Sequence, residues 1–192
     1  MKRSGKETSK TVFVTVGSTK FENLINRVLD TEILKLLKAH SYTRIVLQVG
    51  NGRHIDDDLF KFNEANLNFK SGVEEVATFS KENVEIVAYR YKKSIRDDIL
   101  NADLIISHAG AGSVMESLEA NKKLIVVINE MLMDNHQLEL AVKMNDEGYS
   151  LYTTCEGLKD KIELINSKEC RLKTYVRGDP SLFGVHLDKI MS

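Results

Sequence analysis

The sequence predicts an α/β domain, a single doubly wound and mainly parallel sheet with helices on both faces, and three observations carry that expectation. Short β-branched runs alternate with longer stretches whose apolar residues recur at helical spacing, which is the pattern of right-handed βαβ crossovers. The strand runs end in glycine or small polar residues, as loops at the carboxyl edge of such a sheet require. No Pro/Ser/Gly-rich tract divides the 192 residues, and Pro180 is the single proline, so one continuous core is expected.

Taken in order, Met1–Lys10 is a polar, basic leader, and residues 11–192 form the domain. Thr11–Val16 is the first strand, closed by Gly17-Ser18-Thr19. Phe21, Leu24, Ile25, Val28 and Leu29 give a helix that Ile33, Leu36 and Leu37 continue after a break at Asp30-Thr31. Arg44–Val49 is the second strand, ending at Gly50-Asn51-Gly52, and the polar stretch Arg53–Lys81 has no periodicity strong enough to assign. From there the alternation resumes: strand Val84–Ala88, helix Lys93–Asn101, strand Asp103–Ser107, a glycine turn, helix Ser113–Ala120 and strand Leu124–Ile128. A loop leads to helix Asn135–Glu147, which Gly148 suits as a C-terminal cap. Strand Tyr149–Thr153, helix Gly157–Asn166 and a last helix Pro180–Met191 complete the chain, with Pro180 fitting a first helical turn.

Charge and composition narrow the function. Against 28 acidic residues stand 27 Lys and Arg, so no global basic field points to nucleic acid or to anionic lipid, and any ligand must be read by a local site. Cys155 and Cys170 are the only cysteines and belong to no CxxC or Cys/His cluster, which argues for a reducing, cytoplasmic setting and against a structural zinc site. The apolar runs fall far short of the ~20 residues that span a bilayer, and the leader lacks an apolar core. Neither secretion nor direct membrane insertion is expected.

In a doubly wound sheet ligands bind beyond the carboxyl ends of the strands. The most informative loop there is Ser107-His108-Ala109-Gly110-Ala111-Gly112-Ser113. A buried strand runs into glycines and a helix start, so backbone N–H groups and the helix dipole face a bound anion, with His108 and the Ser113 hydroxyl able to complete the shell. The alternative is a plain turn in which Ser113 caps the helix and Glu116 is its capping-box partner. Met115 stands where the third glycine of GxGxxG belongs, so a nicotinamide cofactor is not expected. Asp56-Asp57-Asp58, before Leu59 and Phe60, reads as an exposed helix start rather than a metal site. Asp134-Asn135-His136-Gln137 packs hydrogen-bonding side chains directly after a buried strand, which suits a polyol, although one of them also suits a helix cap. Gly17-Ser18-Thr19 offers N–H groups and two hydroxyls to an anion, or forms a simple turn.

These residues match a family. His108-x-Gly110-x-x-Ser113-x-x-Glu116, followed after the next strand by Asp134-Asn135-His136-Gln137, resembles the donor-binding, C-terminal half of GT-B glycosyltransferases that use UDP-sugars, of the type found in the bacterial GlcNAc transferase that makes lipid II. With the opening Phe13–Thr19 the set is similar to the small soluble subunit family of the eukaryotic enzyme that adds the second GlcNAc to dolichol-diphosphate-GlcNAc. The likeness runs from Thr11 to Tyr149.

The resemblance implies a Rossmann-like domain and an inverting, metal-independent transferase with UDP-GlcNAc as substrate and no cofactor. It implies that Glu116 holds the ribose, and that His108 and Ser113 with the N–H groups of Gly110, Ala111 and Gly112 bind the diphosphate and stabilise it as leaving group. Gly17 and Ser18 would face the phosphates, Tyr91 within Tyr89–Lys92 would lie near the uracil, and Asp134, His136 and Gln137, with Asn135 beside them, would hold the GlcNAc. A complete GT-B enzyme has two such domains and this chain has length for one. The resemblance therefore implies a membrane-anchored partner subunit that supplies the lipid-linked acceptor and recruits the chain to the cytosolic face of the endoplasmic reticulum, with residues 175–192 as a docking helix. It leaves open the general base, for which His54 is the local candidate. Two further readings stay open: the soluble half of a split bacterial capsule transferase, and a non-catalytic stabilising subunit.

Overall fold

The structure, a computed structural model, describes residues 9–51, 76–129 and 135–176, with Asn135 and His136 described in their backbone only. Its strands are β1 (Lys10–Thr15), β2 (Tyr42–Gln48), β3 (Val76–Lys81), β4 (Val84–Tyr89), β5 (Leu104–His108), β6 (Lys123–Val127) and β7 (Leu151–Thr153). The helices are α1 (Glu22–Val28), α2 (Thr31–Ala39), α3 (Arg96–Asn101), α4 (Ala111–Glu119), α5 (Asn135–Asp146) and α6 (Leu158–Asn166).

The strands form one seven-stranded sheet in the order β3-β4-β2-β1-β5-β6-β7. Every pairing is parallel except β3 with β4, which is antiparallel. The chain builds outward from β1 through β2 to β4, then returns to lay β5 on the other side of β1. The topological switch point therefore lies between β1 and β5, and there the carboxyl-end loops diverge to leave a crevice.

Strand periodicity divides the core in two. Along β1, Val12 and Val14 join one apolar cluster with residues of α1, α2 and α6, while Phe13 joins a second with Ile99, Val114, Leu118, Leu140 and Ala141 from α3, α4 and α5. Consecutive residues of β1, β5 and β6 are buried on both faces, as a sheet covered by helices on each side demands.

Most elements lie where periodicity put them, and the exceptions have local causes. The Asp30-Thr31 break is real, with Asp30 in an extended conformation before α2. Residues 76–81, in the unassigned stretch, form β3, whose burial is weak because an edge strand has little apolar face to advertise. Helix α4 begins at Ala111, two residues before the expected start, with Gly110 as its extended N-cap and no side-chain cap bond. Ser113 is thus inside the helix and forms no capping box with Glu116. Helix α3 begins later than expected and β7 is shorter. The expected last helix, Asp56–Asp58 and His54 lie outside the described residues, as does nearly all of the proposed docking segment. Its first residue, Tyr175, packs edge-on against Tyr149 of this same chain with ring centroids 5.4 Å apart.

Candidate functional site

The loops after β1, β2, β4 and β5 meet at the carboxyl edge. Gly17 follows β1 with a left-handed φ of 60°, and its N–H donates to Thr15 Oγ1 at 3.1 Å. Gly50, also left-handed, sits so close beneath this loop that a Cβ there would lie 2.7 Å from the Gly17 carbonyl oxygen. Asn51 Nδ2 donates to the Ser18 carbonyl at 3.3 Å, and Arg90 Nη1 to the Gly50 carbonyl at 3.3 Å. These bonds join the loops after β1, β2 and β4 into one rim.

His108 fills the crevice. It ends β5 and is 8% exposed. A Cβ on Gly17 would lie 2.6 Å from His108 Cε1, and a Cβ on Gly110 would also collide with the imidazole. Glycine at both positions is therefore required by the histidine itself. Burial pushes the imidazole below its ordinary value, against a weaker opposing pull from the Thr15 main chain. His108 is accordingly neutral at pH 7, and its buried Nδ1 has no hydrogen-bond partner of ordinary geometry.

Gly112 differs from the other two glycines. It lies in the first turn of α4, and a Cβ there would meet nothing within 4 Å. Nothing in the described protein requires glycine at this place, yet it sits where the unpaired N–H groups of the helix start point outward, which makes it open ground for an anion. Ala111 is exposed beside it and Ser113 is half-buried. Glu116 is exposed one turn further on, at a groove between α3 and α4 that Arg96, Ile99, Leu100 and Glu119 also line.

The loop after β4 is held by a compact cluster. Tyr89 Oη donates to Asp98 Oδ2 at 2.6 Å, while Lys92 Nζ reaches both Asp98 oxygens at 2.9 Å and lies 4.1 Å from the centre of the Tyr89 ring. Between these anchors Tyr91 stands 40% exposed at the rim. On the far side of the crevice Gln137 is half-buried in the first turn of α5, with Asn135 and His136 in the same turn by their backbone. Asp134 lies outside the described residues.

The structure thus brings Gly17, His108 and Gly110 into direct apposition, with Ala111, Gly112 and Ser113 on the helix start beside them. Sequence reasoning gave no role to the polar residues beneath: Thr15, Gln48 and Ser107, all buried. Their signal was present, since each is a polar residue near the end of an otherwise apolar strand run. It also missed Asp98, whose role emerges only once Tyr89 and Lys92 are placed around it.

A doubly wound sheet with a glycine-walled crevice and an open helix start at its switch point defines a Rossmann-like domain of the kind found in GT-B glycosyltransferases. The chain belongs to the glycosyltransferase family 28 C-terminal domain family, which matches residues 11–179. Among its relatives, the human protein named "UDP-N-acetylglucosamine transferase subunit ALG13" is 44% identical over 149 residues, covering 78% of this chain and 11% of the human one. The protein of the same name from Kluyveromyces lactis is 34% identical over 174 residues, covering 84% of this chain and 88% of that protein. The chain therefore spans about a tenth of its human and mouse relatives and most of the yeast one. Among solved structures, the solution structure of an ALG13 superposes with a TM-score of 0.70 at 26% identity, over 98% of this chain and all of that one. Acinetobacter baumannii MurG shares the fold, with a TM-score of 0.56 at 18% identity over 96% of this chain and 43% of that one.

Proposed function

We propose that the chain is the donor-binding subunit of an inverting, metal-independent N-acetylglucosaminyltransferase that moves GlcNAc from UDP-GlcNAc to dolichol-diphosphate-GlcNAc. The observation that carries this reading is the open helix start at Gly112 beside a buried, neutral His108: an anion site whose one unexplained glycine leaves room for a ligand. In this account the diphosphate lies over Gly110, Ala111 and Gly112, where N–H groups and the α4 dipole face it, with Ser113 and the Gly17-Ser18 loop at its flanks. His108 stabilises the leaving UDP. A neutral imidazole can donate its ring N–H to a diphosphate oxygen and so stabilise the charge that develops there on C–O cleavage. Glu116 accepts the ribose hydroxyls, Tyr91 borders the uracil, and Asp134, Asn135, His136 and Gln137 hold the GlcNAc hydroxyls and amide. UDP-GlcNAc is a substrate, and the reaction needs no cofactor.

One Rossmann-like half cannot close a GT-B cleft. The second half and the acceptor site are assigned to a membrane-anchored partner, which fits relatives named as subunits. Among the described residues no helix is long and apolar enough to cross a membrane. In this reading the chain is cytoplasmic and is recruited by the partner to the cytosolic face of the endoplasmic reticulum, with residues 177–192 contributing to docking. The experiment is a transfer assay with UDP-GlcNAc and a dolichol-linked GlcNAc acceptor, run on the chain alone, on the partner alone and on the complex. Transfer by the complex only is expected. Full activity of the chain alone would overturn the split-site account, and a complex that transfers no GlcNAc would overturn the donor assignment. Deletion from Arg177 onward spares the Tyr149–Tyr175 contact, and loss of membrane association with UDP binding intact is its expected result.

A further inference from the structure

The last fully paired rung of the sheet before the crevice is polar. Thr15 of β1 is the register partner of Gln48 in β2 and of Ser107 in β5. One rung earlier on the same face lie Phe13, Val46 and Ile105, all in the second apolar cluster. Thr15 and Ser107 are wholly buried and Gln48 is 7% exposed. Burying polar atoms at such a place costs free energy unless each finds a partner, and the partners found here are informative. Thr15 Oγ1 donates its proton to Gln48 Oε1 and accepts the Gly17 N–H at 3.1 Å, while Ser107 Oγ donates to the His108 carbonyl at 2.8 Å. Two adjacent hydroxyls thus hold the two walls of the crevice: one fixes the glycine against which the imidazole lies, the other fixes the main chain of the histidine.

We infer that Thr15 is a positioning residue for the donor site: its hydroxyl, oriented by Gln48, ties the Gly17 N–H and so fixes the β1 loop against His108. This rests on the donor-site reading above. The hydroxyl has one proton and gives it to Gln48, so its lone pair is left facing Gly17. Without that tie, Gly17 keeps a left-handed conformation with its N–H unsatisfied, and the loop has no reason to hold one distance from the imidazole. A valine of the same shape would fill the space and sever the connection.

The test uses the purified chain and the variants Thr15→Val, Thr15→Ser and Gln48→Met. UDP affinity is measured by calorimetry at a protein concentration corrected for the folded fraction, and Gly17 amide exchange by NMR without ligand. Thr15→Val is expected to weaken UDP binding about tenfold and to speed exchange at Gly17 while leaving Val14, in the interior of β1, protected. Thr15→Ser should restore both. Gln48→Met, which removes the orienting acceptor but keeps the hydroxyl, should give a smaller loss of the same kind and decides the matter if Thr15→Val does not fold. A lowered melting temperature with wild-type UDP affinity in Thr15→Val would reduce the residue to a packing role and overturn the inference. Failure of Thr15→Ser to rescue would overturn it too. A wild-type chain without UDP affinity would overturn the donor-site reading, while the exchange measurement would still accept or reject the tie.

Discussion

Gly112 separates what the protein needs from what a ligand needs. Replacing it with valine puts two methyl groups and a Cβ onto the first turn of α4, where, apart from the adjoining residues and the helix's own backbone, no atom of the described protein lies within 4 Å of that Cβ. Glycine and valine differ by less than about 0.5 kcal/mol in helix propensity, and a first turn feels less than the full difference. Chemical denaturation should therefore place Gly112→Val within about 0.5 kcal/mol of the parent, and Gly112→Ala equal to it or up to about 1 kcal/mol more stable. Binding should move the other way. A diphosphate that lies on the helix-start N–H groups requires the space the side chain takes, so UDP affinity measured by calorimetry should fall at least about tenfold, or 1.4 kcal/mol, in Gly112→Val. The alanine variant should fall between. The opposite signs make the experiment diagnostic, since a variant that merely unfolds cannot gain stability while losing ligand. Wild-type affinity in a folded Gly112→Val chain would refute the placement of the cradle.

Three further outcomes follow from the geometry. Glu116→Ala should weaken UDP binding and leave the melting temperature unchanged, because Glu116 is exposed inside α4 and completes no capping box; a stability loss with unchanged binding would reverse that reading. His108 gives a pH signature. Its folded value lies below 6.5, so just below that pH the unfolded chain binds more protons and stability falls on acidification; His108→Asn, measured by denaturant unfolding at pH 7 and pH 5.5, should lose less than the parent. Gly17→Ala should destabilise by about 1–2 kcal/mol from the left-handed backbone alone, and by more once the imidazole is displaced from its place 2.6 Å from the new Cβ, which urea titration would register.

The alternation of strands and helices was legible because the central strands are buried on both faces and their apolar runs are unbroken. β3 was not, since an antiparallel edge strand that is mostly exposed carries no such run. The glycines after β1 and β5 announced an anion site, yet they divide differently in space: Gly17 and Gly110 make room for His108, and of the three only Gly112 is left open. Periodicity could not show this, because the contact joins loops that are far apart in sequence. The same is true of Asp98, an ordinary helix-start carboxylate until Tyr89 and Lys92 close on it. The capping-box alternative for Ser113 fails for a local reason. Ser-x-x-Glu fits a capping box, but Gly110 in an extended conformation starts the helix earlier and leaves the serine inside it.

The central claim, that the switch-point crevice binds the nucleotide diphosphate of a UDP-sugar, is tested most directly by titrating the isotopically labelled chain with UDP-GlcNAc and following backbone amide shifts. The account predicts saturable changes concentrated at Gly17, Ser18 and Gly110 through Glu116, at the carboxyl ends of β1 and β5. Saturable binding with those amides unmoved, or no binding at all at millimolar UDP-GlcNAc, would contradict it.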